Sequence, residues 1–252
     1  MTGFEFDIIV PAFVASLIVL STHVPLGIEV LRRGIIFIDL AIAQVAGLGV
    51  IAADTMGWEA EGWIVQIAAV SAALLAAAVL HWTDKRWPDI QEALIGVSFV
   101  LAATAGILVL AGNPHGGEHL KELLVGQILW VSYGQMLPAA IMSLGVLVGW
   151  YWMRDRLQHF GFYALFAFAV TASVQLVGIY LVFASLIVPA LATRRIENRG
   201  NRVALGYTVG VVGCLCGLVV SVIADLPAGA VIVWCLAIVA LLSAVFISRR
   251  YR

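Results

Sequence analysis

The chain has 252 residues, of which 63% are apolar and only 12% are charged, and its formal net charge is −1. Soluble domains carry about 25% charged residues, so this composition excludes a soluble enzyme or a nucleic-acid-binding module. A mean hydropathy of +1.05 agrees with an integral membrane protein. At this length we expect one transmembrane domain that covers residues 1–252.

Apolar runs separated by charged residues predict the membrane spans. They cover residues 8–30, 34–53, 63–82, 91–112, 135–153, 160–192, 203–224 and 228–248. The run 160–192 is too long for one simple crossing, and Gln175, Gly178 and Pro189 within it predict two helical pieces. We therefore expect an all-α fold with about eight transmembrane helical pieces, and we consider an interfacial helix at 119–131.

The basic residues predict the orientation of these spans. All but one of the 14 Lys and Arg residues fall into five clusters, and the exception is Lys121. The clusters are Arg32/Arg33, Lys85/Arg86, Arg154/Arg156, Arg194/Arg195/Arg199/Arg202 and Arg249/Arg250/Arg252. Because cytoplasmic loops are enriched in Lys and Arg, we expect the N-terminus outside and the C-terminus in the cytoplasm.

Two acidic residues lie in or beside the first apolar runs. Asp39 stands in the apolar run 34–53, where a carboxylate costs about 2.5–3.5 kcal/mol on insertion scales. It either pairs with Arg32 or Arg33, or lines a polar path. Glu29 has Arg33 at i+4, which favours an ion pair.

Two amides are candidate pore-lining residues, Gln44 and Gln175. Gln44 lies about 140° around the helix from Asp39, so the two side chains do not share one narrow face of an ideal helix.

His115, Glu118 and His119 form a second polar group in the segment NPHGGEHLKE, which is predicted to lie outside. Imidazole and carboxylate groups bind zinc and similar ions, so this loop either captures a metal or contacts a docking partner. The alternative is an ordinary solvated loop. The isolated histidines His23, His81 and His159 are predicted to lie at the membrane interface.

Several motifs are absent or point to structure alone. The sequence has no G-x-x-x-x-G-K-[ST] loop, which indicates that the chain does not hydrolyse ATP itself. The charged segment Arg154, Asp155 and Arg156 is either a plain cytoplasmic loop or a contact for a soluble partner. Gly213 and Gly217 form a G-x-x-x-G pattern, which we interpret as helix packing within the subunit.

Four segments between residues 30 and 195 occur in the order typical of one family. They are RRGIIFIDLAIAQVAGLG, EALIGVSFVLAATAGILVL (with Glu92, Gly96 and Gly106), LLVGQILWVS and VGIYLVFASLIVPALATRR. Together they resemble the signature segments of the ABC-3 family, the permease subunits of zinc, manganese and iron importers. The family has a histidine four residues after the acid of the first segment, and this position is Ala43 here, beside Gln44.

The resemblance implies a dimer of permeases in the lipid of the bacterial cytoplasmic membrane, two ABC ATPase subunits and an extracytoplasmic metal-binding protein. It implies no permanently bound cofactor and no enzymatic activity in this chain. Asp39, His115 and His119 are then the candidate metal ligands, and Arg154, Asp155 and Arg156 the candidate ATPase contact. Zinc is favoured because the imidazoles lie on the predicted outer side.

Two other classes of function remain at this stage. A proton-coupled secondary transporter of metal ions would use Asp39 or Glu29 for coupling and would need no ATPase. A membrane scaffold or receptor would transport nothing.

Overall fold

A computed structural model describes residues 3–58, 63–153 and 160–250, and this part of the chain consists of helices joined by turns and short loops, without strands. The helices are α1 (Gly3–Arg33), α2 (Ile38–Thr55), α3 (Trp63–Arg86), α4 (Gln91–Leu110), α5 (Gly116–Val125), α6 (Tyr133–Met153), α7 (Phe160–Val177), α8 (Ile179–Ala192), α9 (Arg199–Ala224) and α10 (Ala228–Arg250). Short 3₁₀ turns cover Pro88–Ile90 and Ile128–Trp130.

Within the described residues, 8 helices are long and apolar enough to cross a membrane, which confirms the predicted all-α transmembrane fold. The predicted break in 160–192 is also confirmed, because α7 ends at Val177 and α8 begins at Ile179. Gly178 separates them with a φ of +77°, a left-handed conformation that glycine adopts without strain. Helix α8 is also apolar, but with 14 residues it is shorter than the 8 candidate membrane spans.

Two predicted boundaries need correction. The helix considered at 119–131 is instead α5, which begins at Gly116 and ends before Gly126, whose φ is +72°. Helix α9 begins at Arg199 rather than 203, because the Asn198 side chain accepts a hydrogen bond from the backbone N–H of Asn201 at 3.1 Å. This N-cap satisfies a backbone donor that the first helical turn leaves free.

Helices α1, α7 and α8 supply much of the buried core, and α1 also packs against α9. Pro25 lies inside α1 and has no N–H to bond to the carbonyl of Ser21. The Tyr207 hydroxyl of α9 donates to that carbonyl at 2.8 Å and so replaces the missing bond. On the same helix as Pro25, Gly27 lets α1 approach α8 so closely that a Cβ there would collide with the carbonyl of Leu186.

The G-x-x-x-G pattern of α9 packs within the subunit, as predicted. A Cβ at Gly213 would lie 2.6 Å from Leu236 Cδ2, and one at Gly217 would lie 2.5 Å from Ile232 Cα. Both neighbours belong to α10. The two glycines therefore bring the backbones of α9 and α10 together, which is how small residues stabilise membrane helix pairs.

Three helix ends meet at one end of the bundle. The Arg33 guanidinium at the end of α1 lies 4.2 Å from the centre of the Phe162 ring near the start of α7. The His81 ring, near the end of α3, packs on Phe160 and Tyr163 of α7. We call this end, which carries Arg32, Arg33, Lys85 and Arg86, the basic end. The positive-inside rule predicts that it faces the cytoplasm.

Candidate functional site

Asp39 lies at the basic end, in the first turn of α2. The chain reverses between α1 and α2 at Gly34, which has a φ of +74° and donates its N–H to the Val30 carbonyl at 3.1 Å. Helix α2 follows this turn, and the Asp39 side chain in its first turn is fully buried, with 0% exposure.

Neither carboxylate oxygen of Asp39 has a hydrogen-bond partner in the part of the protein that the structure describes. The backbone N–H groups of Asp39 and Leu40 interact with it electrostatically. They belong to the N-terminus of α2, where the helix dipole favours negative charge. The helix N-terminus thus favours a carboxylate here, whereas burial away from water disfavours one that has no counter-ion.

The proposed pairing of Asp39 with Arg32 or Arg33 is wrong for this structure, because both arginines bind Glu29. Arg32 Nη2 lies 2.5 Å and Arg33 Nε 2.8 Å from Glu29 Oε1. The predicted pair of Glu29 with Arg33 is confirmed, and Arg32 joins it through a second bond to Oε2 at 2.8 Å. Arg32 and Arg33, the basic residues nearest to Asp39 in sequence, therefore pair with Glu29 and not with Asp39.

A second carboxylate lies beside Asp39. Glu92 belongs to the first turn of α4, and its Oε1 accepts a hydrogen bond from the backbone N–H of Phe37 at 3.2 Å. Phe37 is the N-cap residue of α2, two positions before Asp39. The charges of Glu92 and Asp39 repel each other, and Glu92 Oε2 is buried without a hydrogen-bond partner. The sequence singled out Glu92 only as a motif match, since nothing local indicates that α4 begins beside α2.

The two candidate pore-lining amides occupy different surroundings. Gln44 of α2 is buried, with 7% exposure. Gln175 is exposed near the end of α7 and accepts a hydrogen bond from the side chain of Gln66 on α3. No hydrogen bond joins Gln44 to Gln175 in the described residues. Both remain predictions as pore-lining residues.

His115 and His119, which are predicted to lie outside, belong to a different part of the fold from Asp39. His115 precedes α5, and its Nδ1 is 3.3 Å from Glu118 Oε2 on the exposed side of that helix. Helix α4 separates the two regions, and the path from Glu92 to Leu110 along it is about 27 Å at about 1.5 Å per residue. No group of three or more His, Cys, Asp and Glu that could hold a metal occurs in the described ranges. Asp39, His115 and His119 therefore do not form one site.

The remaining predicted residues have different outcomes. Arg154, Asp155, Arg156 and His159 lie outside the described residues. The prediction that His23 is interfacial is wrong, because this residue is fully buried between α1 and α8, and its Nδ1 lies 2.7 Å from Ser185 Oγ. The sequence of α1 alone did not indicate that Ser185 of α8 supplies His23 with a buried polar partner.

The chain is similar in sequence and in fold to known membrane transport proteins. The model of the ABC 3 transport family matches residues 5–162 and 153–247. The manganese transport system membrane protein MntC of Halalkalibacterium halodurans is 25% identical, over 82% of this chain and 76% of that protein. The high-affinity zinc uptake system membrane protein ZnuB of Haemophilus influenzae is 22% identical, over 94% and 97% of the two chains. A solved structure of PsaBC from Streptococcus pneumoniae in complex with Fab has the same fold, with a TM-score of 0.75 and 21% identity over 96% of this chain and 95% of that chain.

Proposed function

The chain belongs to the ABC 3 transport family, and from this premise we propose that it is the permease subunit of an importer that moves a divalent transition metal ion into the cytoplasm. It is a multi-pass protein of the bacterial inner membrane. The proposal depends most on one observation, the buried carboxylate of Asp39 in an otherwise apolar span. Ionisable groups inside membrane spans are costly and mark paths for ions.

The energy source is a separate ABC ATPase. The sequence has no phosphate-binding loop of its own, so ATP hydrolysis that drives transport would take place on a separate subunit. We propose the segment Arg154, Asp155 and Arg156 as a contact for this ATPase. An extracytoplasmic metal-binding protein and a second copy of the permease complete the proposed assembly.

Zinc is the metal that the sequence favours, because His115 and His119 are imidazole donors on the side predicted to face outward. The relatives carry names for both manganese and zinc transport. Carboxylate-rich sites suit manganese and imidazole suits zinc. Zinc therefore stays a proposal that a metal panel has to test.

The test is metal uptake into proteoliposomes that contain the permease, its ATPase and its binding protein. We expect ATP-dependent uptake of one or more of zinc, manganese and iron. Uptake that continues without the ATPase would instead support the alternative, a proton-coupled secondary transporter. A complex that takes up none of these ions under any condition would contradict the proposed function.

A further inference from the structure

We infer that Asp39 and Glu92 together form a cation-binding station at the basic end of the permease, which holds the transported divalent ion through oxygen atoms alone. The inference rests on the proposed function and adds a ligand, Glu92, and a ligand chemistry to it.

Within the described residues, buried carboxylate oxygens at the starts of α2 and α4 lack hydrogen-bond partners. Glu92 Oε1 bonds to the backbone N–H of Phe37 at 3.2 Å, so the start of α4 is tied to the start of α2. This bond occupies one carboxylate oxygen and leaves three others without a partner: Asp39 Oδ1, Asp39 Oδ2 and Glu92 Oε2. All three are buried atoms. Buried polar atoms in proteins are nearly always hydrogen-bonded, so three such atoms at the joined starts of α2 and α4 indicate a missing partner.

Charge points to the same kind of ligand. The two carboxylates repel each other, and the basic residues nearest in sequence are bound to Glu29. The N-terminus of α2 favours negative charge on Asp39, whereas burial away from water disfavours a charge that has no counter-ion. Buried charges are normally paired or coordinate metals. Because no cationic side chain pairs with this carboxylate in the described residues, a bound cation is the partner that fits both the charge and the free oxygen atoms.

The donor atoms define the class of ligand. Carboxylate oxygens suit Mn²⁺ and other hard or borderline divalent ions, whereas selection for zinc usually uses imidazole or thiolate. Two carboxylates also leave most coordination positions to water or to other groups. Such a site binds weakly, as a transport site must if it is to release its ion. Any selection for zinc would then take place elsewhere, for example at His115 and His119.

The experiment is a Mn²⁺ titration of the full-length permease purified with its ATPase, in which the electron paramagnetic resonance signal of free Mn²⁺ reports binding. The variants are Asp39→Asn and Glu92→Gln, and the control is Asp54→Asn at the opposite end of α2. Both site substitutions nearly preserve shape, and the amide oxygen that Glu92→Gln introduces can still accept the Phe37 N–H. Co-purification with the ATPase shows that each variant is folded.

We expect each site variant to weaken Mn²⁺ binding by roughly tenfold or more, with the control unchanged. Wild-type affinity in Glu92→Gln would overturn the inference, and so would an equal loss in Asp54→Asn. A wild-type permease that binds no Mn²⁺ would also overturn it, in favour of a proton shared by the two carboxyl groups.

Uptake by the same preparations separates the two proposals. If the wild-type complex imports metal and Glu92→Gln binds and imports Mn²⁺ normally, only this inference fails. If the wild-type complex imports no metal, the proposed function fails.

Discussion

Gly126 and Gly178 pack backbone against backbone, and each has a positive φ, +72° and +77° respectively. A Cβ on either residue would collide with main-chain atoms beside the other. This contact joins the end of α5 to the break between α7 and α8. It therefore fixes the position of two helix interruptions that the membrane would otherwise disfavour.

Alanine at Gly126 or at Gly178 is expected to destabilise the protein. The left-handed conformation costs a non-glycine residue about 1–2 kcal/mol, and the collision adds to this. Thermal unfolding of the purified protein in detergent measures the effect. The matched control is Gly145→Ala, since Gly145 lies within α6 and a Cβ there would meet no atom within 4 Å. Equal melting temperatures for all three variants would contradict the close contact.

The two arginines that bind Glu29 are expected to differ in importance. The Arg32 side chain is 70% exposed, whereas that of Arg33 is 23% exposed and its guanidinium also packs on the Phe162 ring. An exposed pair contributes at most about 1 kcal/mol, and a cation–π contact adds about 0.5–1 kcal/mol or more when desolvated. Arg33→Met should thus lower the melting temperature clearly more than Arg32→Met. The reverse order would show that Arg32 dominates the pair.

Tyr207 and Pro25 should be energetically coupled. Tyr207→Phe removes the donor to the Ser21 carbonyl and leaves that acceptor unsatisfied, which costs about 1–3 kcal/mol. In a Pro25→Ala background, the new N–H of residue 25 can bond to the same carbonyl, so Tyr207→Phe should cost less. A double-mutant cycle on unfolding free energy measures this coupling. Additive effects of the two substitutions would rule out the replacement of a helix bond by the tyrosine.

The outer histidines are expected to matter only when metal is scarce. His115→Ala combined with His119→Ala removes both imidazoles near the start of α5 and should reduce uptake at low metal concentration, with little effect at high concentration. Lys121→Ala is the control, because it changes an exposed charge on the same helix. Uptake that is unchanged at every metal concentration would exclude a role in capture.

Much of the fold was predictable because lipid imposes strong constraints on sequence. Apolar runs indicated the spans, and basic residues on both sides of 160–192 required an even number of passes, which agrees with the break at Gly178. The exact limits of α5 and α9 depend on local backbone chemistry. The positive φ of Gly126 ends α5, and the Asn198 cap begins α9. Apolar periodicity in the sequence predicts neither feature.

The candidate site was only partly predictable. The anomaly of Asp39 was visible, because a single acid stands in an apolar span. Its surroundings were not, because proximity in sequence suggested Arg32 and Arg33 as partners, whereas both arginines bind Glu29. Glu92 is 53 positions away in sequence, and only the packing of α4 against α2 brings it close.

The most direct test of this account is metal uptake by the reconstituted complex with Asp39→Asn in the permease. The matched control is Asp54→Asn, which changes an acid at the opposite end of the same helix. We expect Asp39→Asn to reduce uptake and metal-stimulated ATP hydrolysis by roughly tenfold or more, while Asp54→Asn stays close to wild type. Wild-type uptake and wild-type ATP hydrolysis in Asp39→Asn would contradict the account, because the buried carboxylate would then have no part in metal transport.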